Sequence, residues 1–361
     1  MTSEPYLYNS TATIYLNRLE HNVRLLKEHI GEGVRQLAVI KADAYGHGAV
    51  QVAHFLQDKV DWFAVASMQE AVELRESGIK KDLLIFAPPT VHSGPFYAQL
   101  GITAIVGQLS QLDWLDENTS YHLQFDTGMG RFGFYPDEAS TVAGVIRDYS
   151  GLRLTGIMTH FASADNPIDP SVDEQLKQFH SVRDIFGSDL LYHSANSGGV
   201  LFYKDSHFSM VRHGISMYGY RPGDAAVEGL QPVMEWESYL AAVKPIKKGM
   251  KVSYHSTWTC PEDGYLGVVP VGYADGYRRN LTGKARMMVE EKSYPVVGII
   301  TMDYSMLYLG KDDLKVGTPV TIMDQSRITA DDLGSAIGSI SYEILCGISK
   351  RRVRRVYRDN G

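Results

Sequence analysis

Lys41 is the residue with the clearest capacity for chemistry. The stretch Val39-Ile40-Lys41-Ala42-Asp43-Ala44-Tyr45-Gly46-His47-Gly48 carries it straight from an apolar run into a polar, glycine-containing loop. An amine so placed condenses with an aldehyde, because a desolvated lysine loses its charge readily and exposes a nucleophilic lone pair. Leu37 to Ile40 reads as a short strand buried on both faces, as in a parallel sheet, which puts Lys41 at the strand's carboxyl end. That end is the catalytic edge of a β/α barrel.

The decapeptide resembles the pyridoxal-phosphate lysine segment of alanine racemases. The likeness continues in order along the chain. Phe125-Asp126-Thr127-Gly128-Met129-Gly130-Arg131 is similar to the family's DTGMGR loop, and His160-Phe161-Ala162-Ser163-Ala164-Asp165 to its HFAxAD segment. His193 to Ser197, Arg212 to Gly219, Val252-Ser253-Tyr254, Gly272 to Tyr277, Gly298 to Asp303 and Ser341-Tyr342-Glu343 complete the series. Asp-Thr-Gly after an apolar residue also matches aspartic proteases, but there is one copy and Met129 follows it; a two-carboxylate site would need two such loops.

The resemblance implies an enzyme that interconverts L-alanine and D-alanine and supplies D-alanine for peptidoglycan. Lys41 and Tyr254 would be the two bases, one on each face of Cα. Lys41, Tyr45, His160, Asn196, Ser197, Arg212, Gly214, Ile215 and Tyr342 would bind the cofactor, pyridoxal 5'-phosphate. Backbone N–H groups and hydroxyls hold a phosphate without a buried counter-charge, and the resemblance assigns Ser197, Gly214, Ile215, Tyr45 and Tyr342 to that cradle. Arg212 would face the pyridine nitrogen, braced by His160 with His193 behind it. A guanidinium stays protonated to pH about 12, so it donates a hydrogen bond without giving up a proton and keeps the ring a weaker electron sink. Arg131, Met302 and Tyr273 would meet the substrate, with Asp165 and Arg279 further out. A tyrosine phenolate at neutral pH needs help of roughly 3 pKa units, about 4 kcal/mol, and Arg131 is the nearest source of positive charge. Tyr254 and Met302 would reach Lys41 and Arg131 of the opposite subunit, so a homodimer is expected.

Three positions depart from the family. Gln124 stands where a carbamylated lysine is common, so Arg131 loses a negative partner that a bound chloride or a direct Gln124 hydrogen bond would replace. Ile299 stands in place of an entryway arginine, and His255 in place of glycine. These bear on rate, pH optimum and substrate breadth. The alternatives are a broader-specificity amino-acid racemase, a pyridoxal-phosphate-binding homeostasis protein and a decarboxylase of the same fold type. The second would lack the β domain and Tyr254; the third's glycine-rich phosphate loop and cysteine-centred motif are missing from this sequence.

These side chains must be positioned by an α/β architecture. Up to about residue 220 short apolar runs alternate with amphipathic helical patterns. Runs at Phe63 to Ala66, Leu83 to Phe86, Thr103 to Val106, His122 to Phe125, Leu152 to Met158 and Leu190 to Tyr192 read as strands. Leu19, Val23, Leu26 and Ile30 share a helical face, and Asn17 with Glu20, Ser67 with Glu70 and Ser171 with Glu174 read as capping boxes. The expected fold is an N-terminal (β/α)8 TIM-like barrel over residues 1–232 and a mostly β domain over residues 233–361, although periodicity leaves an open parallel sheet in play. After Tyr220 the segment Arg221 to Ala226 reads as surface loop, and the basic run from Lys350 to Arg358 as a solvated strand.

Composition sets the outer bounds. A chain of 361 residues with 44% hydrophobic content can bury two cores. The net charge of −7 argues against nucleic acid as a partner. Met1 to Pro5 lack the layout of a signal peptide, and no apolar run approaches membrane-spanning length, so a cytoplasmic protein is expected. Cys260 and Cys346 lack CxxC spacing and indicate neither a disulfide framework nor a zinc site.

Overall fold

The computed structural model describes residues 8–225 and 227–359; Met1 to Pro5 and Ala226 lie outside them. The chain divides into two compact units. One comprises Glu20–Ala44 and Ala49–Leu230. The other comprises residues 8–19, Tyr45–Gly48 and residues 231–359, so the amino-terminal strand, which sequence reading counts with the barrel, belongs to the sheet-rich unit.

After a first strand β1 (Thr11–Tyr15), the larger unit carries β2 (Arg35–Val39), β3 (Trp62–Val65), β4 (Asp82–Ile85), β5 (Ile102–Val106), β6 (Ser120–Gln124), β7 (Arg153–Met158), β8 (Leu191–His193) and β9 (Met210–His213). These form one parallel sheet in the order β8-β7-β6-β5-β4-β3-β2-β9. The registers run Leu37↔Trp62, Trp62↔Asp82, Leu83↔Ile102, Ala104↔Tyr121, Ser120↔Arg153 and Gly156↔Leu191. Ser209 N–H donates to Tyr192 O and Arg212 N–H to Ala195 O, so the edges β8 and β9 meet and the sheet is nearly closed as a barrel. An open doubly wound sheet is thereby excluded. β3 and β5 are buried along their whole length, as expected where helices cover the outer face and side chains fill the interior.

Most strands begin and end one or two residues before the apolar runs, because the last apolar residue of each run turns into the following loop. β9 had no apolar run to announce it. Its sequence Met-Val-Arg-His buries two ionisable side chains, Arg212 and His213. The first helix, Leu16–Ile30, buries Leu19, Val23, Leu26 and Ile30. It starts before Asn17, so Asn17 is no cap. Ser67 and Glu70 form the expected capping box, whereas Ser171 lies inside its helix, its N–H accepted by Asp169 Oδ1.

The second unit continues through β10 (Met234–Tyr239), β11 (Ala242–Ile246), β12 (Lys251–Val252), β13 (Trp258–Thr259), β14 (Gly264–Val269), β15 (Arg286–Val289), β16 (Lys292–Pro295), β17 (Ser305–Gly310), β18 (Pro319–Met323) and β19 (Arg354–Arg358). A six-stranded sheet runs β16-β15-β18-β10-β1-β19, and a three-stranded one β11-β14-β17. β1 pairs antiparallel with β10 and parallel with β19, so the basic tail is an edge strand. Tyr45–Gly48 is pinned to this unit: Arg355 Nε donates to Gly46 O at 2.9 Å, and the Tyr357 hydroxyl to His47 O at 3.1 Å. A Cβ on Gly46 would lie 2.3 Å from Leu345 O, so only glycine fits there. Cys260 is buried and Cys346 exposed, and neither forms a disulfide. Among the described residues no helix is long and apolar enough to cross a membrane.

The barrel's buried histidines make it acid-labile. Gln36 Nε2 donates to His213 Nε2 at 3.0 Å, and burial lowers the His213 pKa to about 3, with His207 and Lys27 adding to the effect. Between pH about 6.5 and 3 the unfolded chain binds a proton that the native histidine refuses, so stability falls as pH falls through that window. Each such histidine contributes a slope of about 1.4 kcal/mol per pH unit. Urea unfolding at pH 7, 6 and 5 should show this loss, with the slope shallower by one histidine's share in His213→Gln; an unchanged slope would contradict it.

Candidate active site

β2 ends one residue before Ile40, whose N–H donates to Ala64 O at 2.8 Å. From there the chain turns left-handed: Ala42, Asp43, Ala44 and Tyr45 have φ of 51°, 54°, 53° and 52°. None is glycine, and L-residues pay roughly 1–2 kcal/mol each in this region, so the turn must be over-determined by its bonds. Glu70 supplies one of them, accepting from Ala42 N–H at 2.6 Å through one oxygen, while its other oxygen accepts from Ala66 and Ser67 N–H and so ties the turn to the loop after β3. Asp43 Oδ1 accepts from Ala49 N–H at 3.0 Å. Lys41 stands half-buried at the head of this turn, its Nζ 5.6 Å from the Phe86 ring centroid. The sequence shows a loop here, but nothing in the residue types signals left-handed geometry.

Arg212, on β9, is 2% exposed. Its Nη1 donates to His193 Nδ1 (3.0 Å) and His193 O (2.8 Å), and its Nη2 to Thr159 O (2.9 Å), Ser194 O (2.8 Å) and His160 Nδ1 (3.3 Å). The terminal N–H groups are thus all engaged, which leaves Nε–H as the remaining donor. Burial, then the charge of Arg131, pull the guanidinium pKa down to about 9, still cationic at neutrality. His160 is lowered to about 3 by burial and by Arg212, Arg131 and Lys41, and His193 well below its usual value by burial and then Arg212. Both rings are therefore neutral acceptors. Because His193 Nδ1 accepts from Arg212, its Nε2 carries the proton and donates to His122 Nδ1 at 2.9 Å. His122, neutral and wholly buried, extends the bracing into the barrel. Sequence reading had it only as a strand residue.

The Asp126 carboxylate is a loop-builder. It accepts from Gly128 and Gly130 N–H through Oδ1 and from Arg131 N–H through Oδ2 at 2.8 Å. Burial raises its pKa, but these backbone bonds hold it below the usual range. With every contact structural, the aspartic-protease reading has no support. Arg131 emerges exposed from this loop. Gln124 does not bond the Arg131 side chain; its Nε2 donates to Phe132 O at 2.8 Å, tying strand to loop.

Ser197 Oγ accepts from Gly214 N–H at 3.0 Å and Ser216 N–H at 3.4 Å, joining the two glycine-containing turns. Asn196 caps the short helix Ser197–Phe202 through Gly199 N–H. Ser197 and Ile215 are buried, and Ser216 Oγ is buried without a hydrogen-bond partner. Such an orphaned hydroxyl suits a bound oxyanion. The barrel unit thus gathers Lys41, Arg131, His160 and Arg212 within electrostatic reach of one another. Among the described residues no carboxylate bonds Arg212. The cluster is a cationic site built for an anion.

In the sheet-rich unit, Tyr254 is 67% exposed on a turn where Ser253, His255 and Ser256 all have positive φ. Ser253 Oγ braces the turn by donating to Ile299 O at 2.6 Å. A cavity of about 700 Å3 brings Tyr254 together with Met250, Met302, Asp303 and Tyr304. Tyr273 is 42% and Met302 52% exposed. Ile299 is buried, its side chain withdrawn from the surface that an arginine there would charge. Tyr45 and Tyr342 lie with rings 5.9 Å apart, and burial pushes the Tyr45 phenol pKa up, keeping it a neutral donor.

Family models for the alanine racemase N-terminal and C-terminal domains match residues 14–222 and 233–357. The alanine racemase of Chlorobaculum tepidum is 38% identical over 96% of this chain and 95% of its own length, and that of Treponema denticola 35% identical over 96% and 98%. The solved alanine racemase of Clostridium difficile 630 superposes with a TM-score of 0.92 at 31% identity, covering 98% of this chain and 97% of that one. With both domain models matched in order over nearly its whole length, this chain belongs to the alanine racemase family of isomerases.

Proposed function

We propose that this protein racemises alanine by a two-base mechanism, with Lys41 serving one face of Cα and the partner subunit's Tyr254 the other. The carrying observation is the cationic cluster of Lys41, Arg131 and Arg212 around neutral histidines, with one Arg212 donor still to give. Pyridoxal phosphate, when bound, supplies an aldehyde to take the amino acid's nitrogen and a ring that withdraws electrons from Cα. The residues fit it. Lys41 would tether it, Arg212 would donate to its ring nitrogen, and Ser197, Gly214 and Ile215 would hold its phosphate, with Asn196 fixing their turn and His160 bracing Arg212. Tyr45 and Tyr342 complete the cradle by family resemblance.

Lys41, which would hold the cofactor, is placed to take or return a proton on one face of Cα. Tyr254 does the same on the opposite face, and Arg131 meets the substrate carboxylate. Arg212, which keeps its own protons, would donate a hydrogen bond to the ring nitrogen without protonating it, and the ring would be a weaker electron sink for that reason. Met302 and Tyr273 would bound the substrate's small side chain.

Tyr254, Met302, Met250 and Tyr304 leave a largely apolar concave surface on the sheet-rich unit. Exposed patches of this kind mark interaction surfaces, and we assign this one to a second copy of the chain, so that residues 233–361 of each subunit complete the other's site. Two cysteines outside any disulfide suit a reducing compartment; we place the enzyme in the cytoplasm, making D-alanine for peptidoglycan.

Purified protein should carry an absorbance band from bound cofactor that Lys41→Ala loses together with racemisation. Tyr254→Phe should keep the band and lose roughly 10²–10⁴-fold in rate, the range for removing a positioned general acid–base. Mixed Lys41→Ala and Tyr254→Phe chains should regain activity through one intact site per heterodimer. Verified subunit exchange without recovery would count against sites shared between subunits, and carbon dioxide release from alanine would point to a decarboxylase.

A further inference from the structure

We propose that Arg352 is a positioning residue that sets the angle between the two loops presenting Tyr273 and Met302, and so governs how tightly substrate is held. This rests on the racemase reading above for the roles of those two side chains. Arg352 Nε donates to Asp275 Oδ1 at 2.9 Å, and its Nη2 donates to Asp303 Oδ1 at 2.7 Å. The carboxylates belong to different loops. Asp275 is buried, and its other oxygen accepts from Gly272 N–H at 2.9 Å, closing the turn that carries Tyr273. Asp303 directly follows Met302.

The two loops also touch through their backbones. Tyr273 N–H donates to Thr301 O at 3.1 Å and Ala274 N–H to Met302 O at 3.0 Å. A Cβ on Gly272 would lie 2.3 Å from Thr301 O and 2.4 Å from Met302 O, so the approach is as close as glycine permits. Those contacts, with Ser305 Oγ donating to Val271 O at 2.8 Å, join the loops through their backbones. A planar guanidinium bonded to a carboxylate on each loop adds a side-chain brace of fixed geometry. The arginine's own segment is anchored to the same turn, with Ser349 N–H on Asp275 O at 3.0 Å and Arg352 N–H on Ser349 Oγ at 3.2 Å. A lysine, being a point charge, cannot span both acids in this fork geometry.

The test compares cofactor-loaded wild type, Arg352→Lys and Asp303→Asn for kcat and KM with alanine in both directions and for inhibition by propionate, with thermal unfolding alongside. KM and the inhibition constant should both rise about tenfold in each variant, the size of one charge-assisted hydrogen bond, while kcat stays within about threefold. Asp303→Asn is isosteric and its site half-exposed, so it decides the matter even if Arg352→Lys misfolds. Unchanged KM in Asp303→Asn, or a loss confined to kcat, overturns the proposal while leaving the racemase reading intact. A wild type that does not racemise alanine overturns both.

Discussion

Arg212 sits in the barrel wall with five hydrogen bonds to three backbone carbonyls and two histidine nitrogens, and with no carboxylate among them. A buried cation without an anionic partner is costly, and the chain meets that cost with acceptors that are themselves forced to be neutral. His160, His193 and His122 are held unprotonated by burial, to which neighbouring cations add for the first two. Their neutrality is what lets two of them accept from Arg212, and the positive field they leave uncancelled is what an anionic cofactor and a carboxylate substrate would answer. The mechanism proposed for the site follows from the same constraint, since a donor that cannot surrender its proton sets the electronic character of whatever ring it faces.

Around that core the structure uses carboxylates as backbone clamps. Glu70 ties the left-handed turn after Lys41 to the loop after β3, and Asp126 gathers three N–H groups to form the loop ending in Arg131. In the sheet-rich unit Asp275 and Asp303 serve Arg352 in the same spirit. Each places a chemically active side chain on a loop that would otherwise be free to wander, which is how a rigid scaffold gives a loop-borne site its geometry.

Much of this was legible in the sequence. Apolar runs marked β3, β4 and β5 to within one or two residues, and the motif order supplied Lys41, Arg131, Arg212 and Tyr254 as candidates. What escaped has physical reasons. β9 is a strand whose interior residues are ionisable, so periodicity passed over it. Four non-glycine residues in a left-handed turn contradict every local preference and can be read only from the tertiary bonds that hold them. Asn17 and Ser171 carry the residue types of caps but lie inside their helices. β1 pairs with β10 and β19, more than 200 positions away in the chain, a partnership no local window contains.

The protonation state of the cofactor's ring nitrogen tests the proposed role of Arg212 most directly. Loading the enzyme with ¹⁵N-labelled pyridoxal phosphate and recording its nitrogen resonance at neutral pH would read that state. The shift of an unprotonated, hydrogen-bonded pyridine is predicted, lost or altered in Arg212→Gln. A pyridinium shift in the wild type would contradict it.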